Sequence, residues 1–264
     1  MRGTCDGLVI KVSAYGENDK LLTVLTADEG KVFVTAKGAR SVRSKMLPLS
    51  NLFAYANFEF YEKNGRKWLS GGSVIKSFSA INANIESFAL ASYIVQLAAE
   101  ITGEQASAED VLRTTLNTLY AIENELKPNA IIKSAYEIFA AEVSGFSPDV
   151  LACSECECTE SESDWWLDVM NGHIICGACL TKKSMGAEIL PTDALMTRNI
   201  LLPLDASSLA AWRYVISAPP KRIFSFTVND CESLERLSRS TEEYIVNHLE
   251  RSFETLEFYH SVKE

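Results

Sequence analysis

Between residues 7 and 75 the apolar positions come in short runs rich in Val, Leu and Thr, each bounded by turn residues. GLVIKVSA (7–14), LLTVLTA (21–27) and KVFVTAK (31–37) are separated only by the polar turns YGENDK and DEG, which predicts three strands joined as a meander. FAYANFEFY (53–61) and KWLSGGSVI (67–75) flank EKNGR. The Asn64-Gly65 pair there predicts a tight hairpin, because both central positions of a type I′ turn take positive φ. Five short antiparallel strands with an irregular insertion between the third and fourth predict a small barrel of the OB type.

From residue 81 the apolar period becomes helical. Leu90, Ile94, Leu97 and Ile101 recur at steps of four, three and four, Leu112, Leu116 and Leu119 do the same, and Pro128 opens a third amphipathic segment ending near Gly145. Further helix is expected at 193–202, 206–217 and 232–250, the last marked by Leu234, Leu237, Ile245 and Leu249. The fold class is therefore α+β: an OB-type barrel over residues 1–80, then a mainly helical domain over 81–264 with a cysteine module at about 150–182. No internal repeat is visible, and the acidic ECECTESESD at 155–164 is expected to be an exposed loop.

With 264 residues, 47% of them hydrophobic, the chain can bury a sizeable core. MRGTCDGLVI contains no apolar run of signal-peptide length, and no segment approaches the roughly 20 apolar residues of a membrane helix. A cytoplasmic protein without a membrane partner is expected. The formal net charge of −10 conceals an asymmetry: residues 1–80 hold 12 Lys and Arg against 7 Asp and Glu, a balance of +5, while the rest hold 13 against 28, or −15. A polyanion at close range meets the local field, since screening confines each patch to about 8 Å.

Seven cysteines, an odd count with tight clustering, suit metal ligation in a reducing compartment better than a disulfide framework. Cys153 and Cys156 form one CxxC pair, and Cys176 and Cys179 form another after 19 intervening residues. Two such pairs present four thiolates on two knuckle turns, the arrangement of a tetrahedral structural zinc site holding one ion. Cys158 could replace Cys156, and His173 is an alternative ligand; the two matching pairs are favoured. Trp165 and Trp166 between the pairs either cover the metal site, the favoured reading, or form a partner surface. Cys5 and Cys231 lack a CxxC partner and read as core or near-surface thiols, and His248 and His260 have no visible catalytic companion.

KGARSVRSK at 37–45 concentrates Lys37, Arg40, Arg43 and Lys45 among small residues with no acidic neighbour. An extended chain of this kind presents cations to successive phosphates. The hairpin adds Arg66 and Lys67, and Tyr55, Phe58, Phe60, Tyr61 and Trp68 on the adjoining strands are candidate stacking residues, some of which the alternation must bury. A basic groove with aromatics on a small barrel is a single-strand binding arrangement. Competing readings are a metal- or nucleotide-dependent nucleic-acid enzyme and a structural adaptor with an incidental basic loop. The chain has no HExxH, no GxxxxGK[ST] and no GxGxxG, and its three histidines are not grouped with carboxylates at a ligand spacing, which weighs against the enzyme. Glu17 and Asp19 read as solvated turn residues.

GLVIKVSAYGENDKLLTVLT, continued through EGK and AKGAR, resembles the N-terminal region of the bacterial RecO family of recombination mediators, as do Leu90-Ala-Ser-Tyr93 and Gly145-Phe-Ser-Pro148. The resemblance implies an OB domain followed by a helical domain carrying a zinc module. It also implies a non-enzymatic role in DNA repair and recombination: binding single-stranded DNA, with double-stranded DNA as a further ligand, annealing complementary strands, and working with RecR and the C-terminal tail of the single-strand binding protein SSB to help load RecA. The chain departs from its relatives at Glu157 and Cys158, where a glycine commonly follows the first cysteine pair. Some relatives lack the cysteines, so zinc is expected to serve stability.

Overall fold

Five strands, β1 (Arg2–Tyr15), β2 (Asp19–Thr26), β3 (Gly30–Ala36), β4 (Ala54–Lys63) and β5 (Arg66–Ser77), close into a barrel in the order β1-β2-β3-β5-β4. The coordinates are a computed structural model that describes residues 2–186 and 200–263. β1 serves two neighbours: Arg2–Leu8 pairs with β4 and Gly7–Tyr15 with β2, with a bulge between Val9 and Lys11 that turns the strand between them. Parallel pairing of Val34 with Lys67 and Thr35 with Trp68 completes the closure. These are the five expected strands in the OB arrangement. The β4–β5 turn has Asn64 at φ 53° and Gly65 at φ 69°, as a type I′ hairpin requires.

The barrel interior is filled by the inward positions of that alternation, among them Val9, Leu22, Val24, Val34, Ala56 and Phe58, all fully buried. The insertion after β3 contributes as well. Ala39 and Leu49 are buried in the same core and Met46 packs against it, so Arg40 to Lys45 are held between apolar anchors and face outward. Around the barrel stand α1 (Ile85–Ile101), capped by Asn84 accepting the Ser87 N–H, and α2 (Glu109–Glu123). The C-terminal segment returns as α7 (Glu254–Val262), a helix the apolar pattern does not predict; Phe253 meets Tyr93 edge-on at 5.6 Å. Together Met1–Leu126 and Phe253–Glu264 make one compact unit, so the change from strand to helix at residue 81 falls inside it.

The second unit is Lys127–Ser252. α3 (Asn129–Val143), α5 (Ala206–Ser217) and α6 (Cys231–His248) pack together and against a four-stranded sheet ordered β6 (Asp149–Cys153), β8 (His173–Cys176), β7 (Trp165–Asp168), β9 (Leu201–Leu204). A ten-residue helix, α4 (Gly177–Gly186), follows β8. Of the helix expected at 193–202, residues 193–199 lie outside the described residues; Leu201–Leu204 form a strand instead. A short leucine-rich run fits either period, and here pairing of Leu202 with Leu167 and Leu204 with Trp165 decides it. Pro203 is tolerated because β9 is the outermost strand of this sheet.

α3 and α6 are locked by a buried charge network. Lys133 Nζ donates to Glu137 at 3.0 Å, to Glu242 at 2.9 Å and to the Ser238 carbonyl at 3.1 Å, while the Thr241 hydroxyl donates to Glu137 at 2.6 Å. Lys133 and Glu137 are at most 1% exposed, so each charge depends on its partners for the solvation water no longer supplies.

Candidate nucleic-acid interface and metal centre

Closure of the barrel creates the first site. The register that sets Thr35 beside Trp68 carries the chain two residues on to Lys37, whose ammonium lies 4.8 Å from the Trp68 ring centroid. Across the hairpin, Tyr61 pairs with Trp68. A groove of about 450 Å³ results, lined by Lys37, Tyr61, Lys63, Asn64, Arg66 and Trp68. Lys37, Lys63 and Arg66 are exposed, and the two aromatic rings are half-buried. Lys63 was not singled out by the sequence, although it stands beside the Asn-Gly turn that fixes its place.

The basic loop adjoins this groove and is pinned at its base. Asp19 accepts the Gly38 N–H at 2.8 Å, the Arg40 N–H donates to the Asn18 carbonyl at 3.1 Å, and the Arg40 guanidinium donates to the Glu17 carbonyl at 2.8 Å. Asp19 is therefore a fastening for the loop and not merely a solvated turn residue. Arg40, Arg43 and Lys45 are all exposed. Of the other aromatics, Phe58 and Phe60 are buried and Tyr55 is half-buried, so Tyr61 and Trp68 are the ones that face the groove.

Lys67 belongs to a different surface. It pairs with Glu29 at 2.6 Å and lies 4.8 Å over the Phe60 ring, in a larger depression of about 800 Å³ on the β2–β3 side. Arg66, at the rim of both, donates to the Tyr15 hydroxyl at 3.2 Å. This depression mixes Arg2, Lys31, Arg66 and Lys67 with Glu29, Glu62 and Glu104. Here carboxylates stand among the cations and Glu29 pairs with Lys67, whereas every charged residue of the smaller groove is positive.

The second site gathers Cys153, Cys156, Cys176 and Cys179, whose sulfurs all lie within 4.8 Å of one another. It is the one such metal-ligand cluster among the described residues. Cys153 ends β6 and Cys176 ends β8, neighbouring strands of the sheet, and the Cys176 N–H donates to the Cys153 sulfur at 3.3 Å. Four thiolates at about 2.3 Å from a tetrahedral ion stand about 3.8 Å apart; Cys156 and Cys176 are separated by 3.8 Å. The cluster thus fits a metal ion with no fifth position needed. Gly177, which follows Cys176, is closely packed: a Cβ there would stand 2.9 Å from the Ser163 hydroxyl and 3.1 Å from the Asp164 carbonyl, so Ser163 would have to shift. In the first knuckle Glu157 takes φ 60°, the left-handed conformation for which glycine is the usual residue.

Thiols this close divide their protons unequally. Burial pushes the Cys153 thiol up, but the N–H groups of Cys176, Glu155 and Cys156 outweigh it and bring the group down to about 6. Cys156 is also lowered, chiefly by the Cys158 N–H. Hydrogen bonding to Cys156 pushes Cys158 and Cys179 up to about 12. A divalent cation among the ligands would take the place of the retained protons.

The neighbours of the cluster have structural partners. His173 lies 3.9 Å from Asp168, outside the sulfur cluster, and Cys158 lies at its edge, 3.4 Å from Cys156. Trp165 is buried directly opposite Cys176 on the neighbouring strand, with the Arg213 guanidinium 5.6 Å from its ring centroid, and Trp166 is half-buried. His248 bonds the Val169 carbonyl at 2.8 Å and stacks on Phe146. Cys5 packs against the barrel core, where burial raises its thiol to about 11, and Cys231 is exposed at the start of α6.

Residues 1–78 match the family described as Recombination protein O N terminal, and residues 82–257 match Recombination protein O C terminal. Among similar proteins, the DNA repair protein RecO of Acetivibrio thermocellus is 25% identical over 252 residues, covering 96% of this chain and 94% of the relative. The DNA repair protein RecO of Listeria welshimeri is 31% identical over 178 residues, 67% of this chain and 69% of the relative. That of Clostridium acetobutylicum is 25% identical over 224 residues, 85% and 83% respectively. Among the described residues, no helix is long and apolar enough to cross a membrane.

Proposed function

This chain belongs to the RecO family, and we propose that it is a non-enzymatic mediator of DNA repair and recombination that binds single-stranded DNA on its barrel. The observation that carries this reading is the groove in which Lys37, Lys63 and Arg66 surround Tyr61 and Trp68. Cations along a groove neutralise phosphates, and aromatic faces accept bases of any sequence only when those bases are unpaired. Arg40, Arg43 and Lys45 extend the cationic track beyond it. Double-stranded DNA engages the same cations without the stacking and binds more weakly. Annealing of complementary strands follows from the same charge, since bridging two polyanions requires their repulsion to be neutralised.

The four cysteines hold one zinc ion, the metal that suits a tetrahedral set of thiolates. Zinc supplies a cross-link between the two knuckles, and with four protein ligands it carries no catalytic water. In the cytoplasm the protein works with RecR and the SSB C-terminal tail to help load RecA, as the family resemblance implies.

Fluorescence titration with labelled single-stranded and duplex DNA, followed by an ATP-free annealing assay, tests the reading. The wild type binds single strands more tightly and anneals them, and a Lys37→Ala/Lys63→Ala/Arg66→Ala variant loses both abilities while keeping its melting temperature. Strand cleavage or ATP hydrolysis that copurifies with the protein would overturn the mediator reading. Metal analysis of protein purified without chelators should give one zinc per chain, lost in Cys176→Ser.

A further inference from the structure

One thiol at the metal centre is left over. Cys158 is not among the four clustered ligands, yet its sulfur lies 3.4 Å from that of Cys156. The turn that brings it there is well fastened: the Glu157 N–H donates to the Cys153 carbonyl and the Cys153 N–H to the Cys158 carbonyl, each at 2.9 Å, with Glu157 held at φ 60°. Accessibility is also unequal. Cys153, Cys176 and Cys179 are buried, whereas Cys156 is exposed and Cys158 half-buried. A small oxidant arriving from solvent therefore meets the Cys156–Cys158 edge first.

We propose that Cys156 and Cys158 form a peroxide-sensitive thiol pair whose disulfide removes Cys156 from the metal and so releases it. This rests on the zinc reading above. The Cys156 thiolate attacks one oxygen of hydrogen peroxide; the O–O bond breaks, Cys156 becomes a sulfenic acid, and the hydroxide that leaves takes the Cys158 thiol proton to become water. The Cys158 thiolate then attacks the Cys156 sulfur, the S–O bond breaks, and the departing hydroxide takes a solvent proton to form a second water. Two thiols have lost two electrons and one peroxide has gained them. The sulfurs need to close from 3.4 Å to a bond of about 2.05 Å, a movement within reach of side-chain rotation in a three-residue turn.

Once Cys156 is in the disulfide, three thiolates remain, and a structural zinc site needs four. The second cysteine pair stays reduced because its sulfurs are buried. Thiol reductants reverse the bond by exchange and restore the site.

The test uses zinc-loaded full-length protein, wild type and Cys158→Ser, each first shown by metal analysis to hold one zinc. Hydrogen peroxide is added, zinc release is followed with a chromophoric chelator, and the products are mapped by mass spectrometry. Wild type should release zinc roughly tenfold faster than Cys158→Ser, because without a resolving thiol the sulfenic acid has no rapid partner. Its peptide containing Cys156 and Cys158 should be about 2 Da lighter. Dithiothreitol and zinc should restore the starting state. Equal release rates, a disulfide joining Cys156 to Cys176, or full zinc retention by Cys156→Ser with Cys158 in its place would each overturn the proposal. Protein that purifies without zinc would defeat the metal reading instead, and mapping of the peroxide-treated chain would still show whether Cys156 and Cys158 pair. If Cys158→Ser fails to fold, Cys158→Ala provides the same comparison.

Discussion

Glu29, in the turn between β2 and β3, holds Lys67 of β5 in a 2.6 Å ion pair across 38 residues of chain. The pairing changes which cations of the barrel are available to a polyanion. Lys67 is 20% exposed, lies over Phe60 and already has its counter-charge; Lys37, Lys63, Arg43 and Lys45 are exposed and pair with no carboxylate among the described residues.

Glu29 should therefore act as a screen that keeps phosphates off the β2–β3 depression. Glu29→Gln is expected to tighten single-strand binding and to steepen the plot of log affinity against log salt by about 0.7, the value of one added phosphate contact on a single strand. Glu29→Ala/Lys67→Ala removes a neutral pair and should leave the slope unchanged. A slope lowered by about 0.7 in the double variant would mean that Lys67 contacts phosphate in spite of Glu29.

The loop carries the opposite expectation. Neutralising Lys37, Arg40, Arg43 and Lys45 together should flatten the salt dependence by about 3 units if all four meet phosphates, and annealing should fall with it. Stability should change little, because these side chains are exposed and among the described residues none pairs with a carboxylate; the substitution removes the Arg40 guanidinium bond to Glu17 but leaves the loop fastened by the Gly38 and Arg40 N–H groups. Salt titrations and melting curves on both proteins decide the matter. Equal slopes in equally folded proteins would confine the path to Lys63, Arg66 and the hairpin.

The strands and the hairpin were legible because their signals are local: period-two apolar runs and one Asn-Gly pair. The cysteine cluster was legible for the same reason, two CxxC pairs being a spacing that needs no knowledge of the fold. What each cation does was not. Lys37 meets Trp68 only because β3 and β5 pair in parallel, and Lys67 meets Glu29 only after barrel closure, both consequences of non-local register. The small sheet of the second unit escaped notice because β7, β8 and β9 have four residues each, too few to establish a period.

The helix caps of the second unit give its stability a specific acid dependence. Asp205 caps α5, accepting the Ser208 N–H at 2.8 Å, and Asp230 caps α6, accepting the Ser233 N–H at 2.7 Å. Burial pushes Asp205 up, but hydrogen bonds from Ser208, Ser233 and Ser207 leave it below its ordinary value of 3.8; Asp230 is lowered by the hydroxyl and N–H of Ser233. A folded-state pKa below the unfolded one means that the contribution is complete above the ordinary aspartate range and is lost as pH falls through the folded value. Asn caps a helix about as well and does not titrate. Asp205→Asn/Asp230→Asn should melt like wild type at pH 7 and lose less stability between pH 5 and about 2.5. Identical acid slopes in thermal melts would remove the caps from the account.

Lys133 and Glu137 make the sharpest stability prediction because neither charge has an alternative to its protein partners. They stand four residues apart on the core face of α3, a spacing that usually marks an exposed helix pair worth a few tenths of a kcal/mol. Here both are at most 1% exposed and the network reaches across to Glu242, Ser238 and Thr241 on α6. Lys133→Ala leaves a buried carboxylate uncompensated and a void where the alkyl chain packed, and should cost about 3–5 kcal/mol. Lys133→Met/Glu137→Met removes both charges while preserving volume, and should recover most of that loss, since a buried ion pair replaced by apolar groups of similar size is often no less stable. Urea denaturation followed by circular dichroism compares the three proteins. A double variant as unstable as the single one would show that the network contributes net stability to α3–α6 packing, beyond the need of each buried charge for its partner.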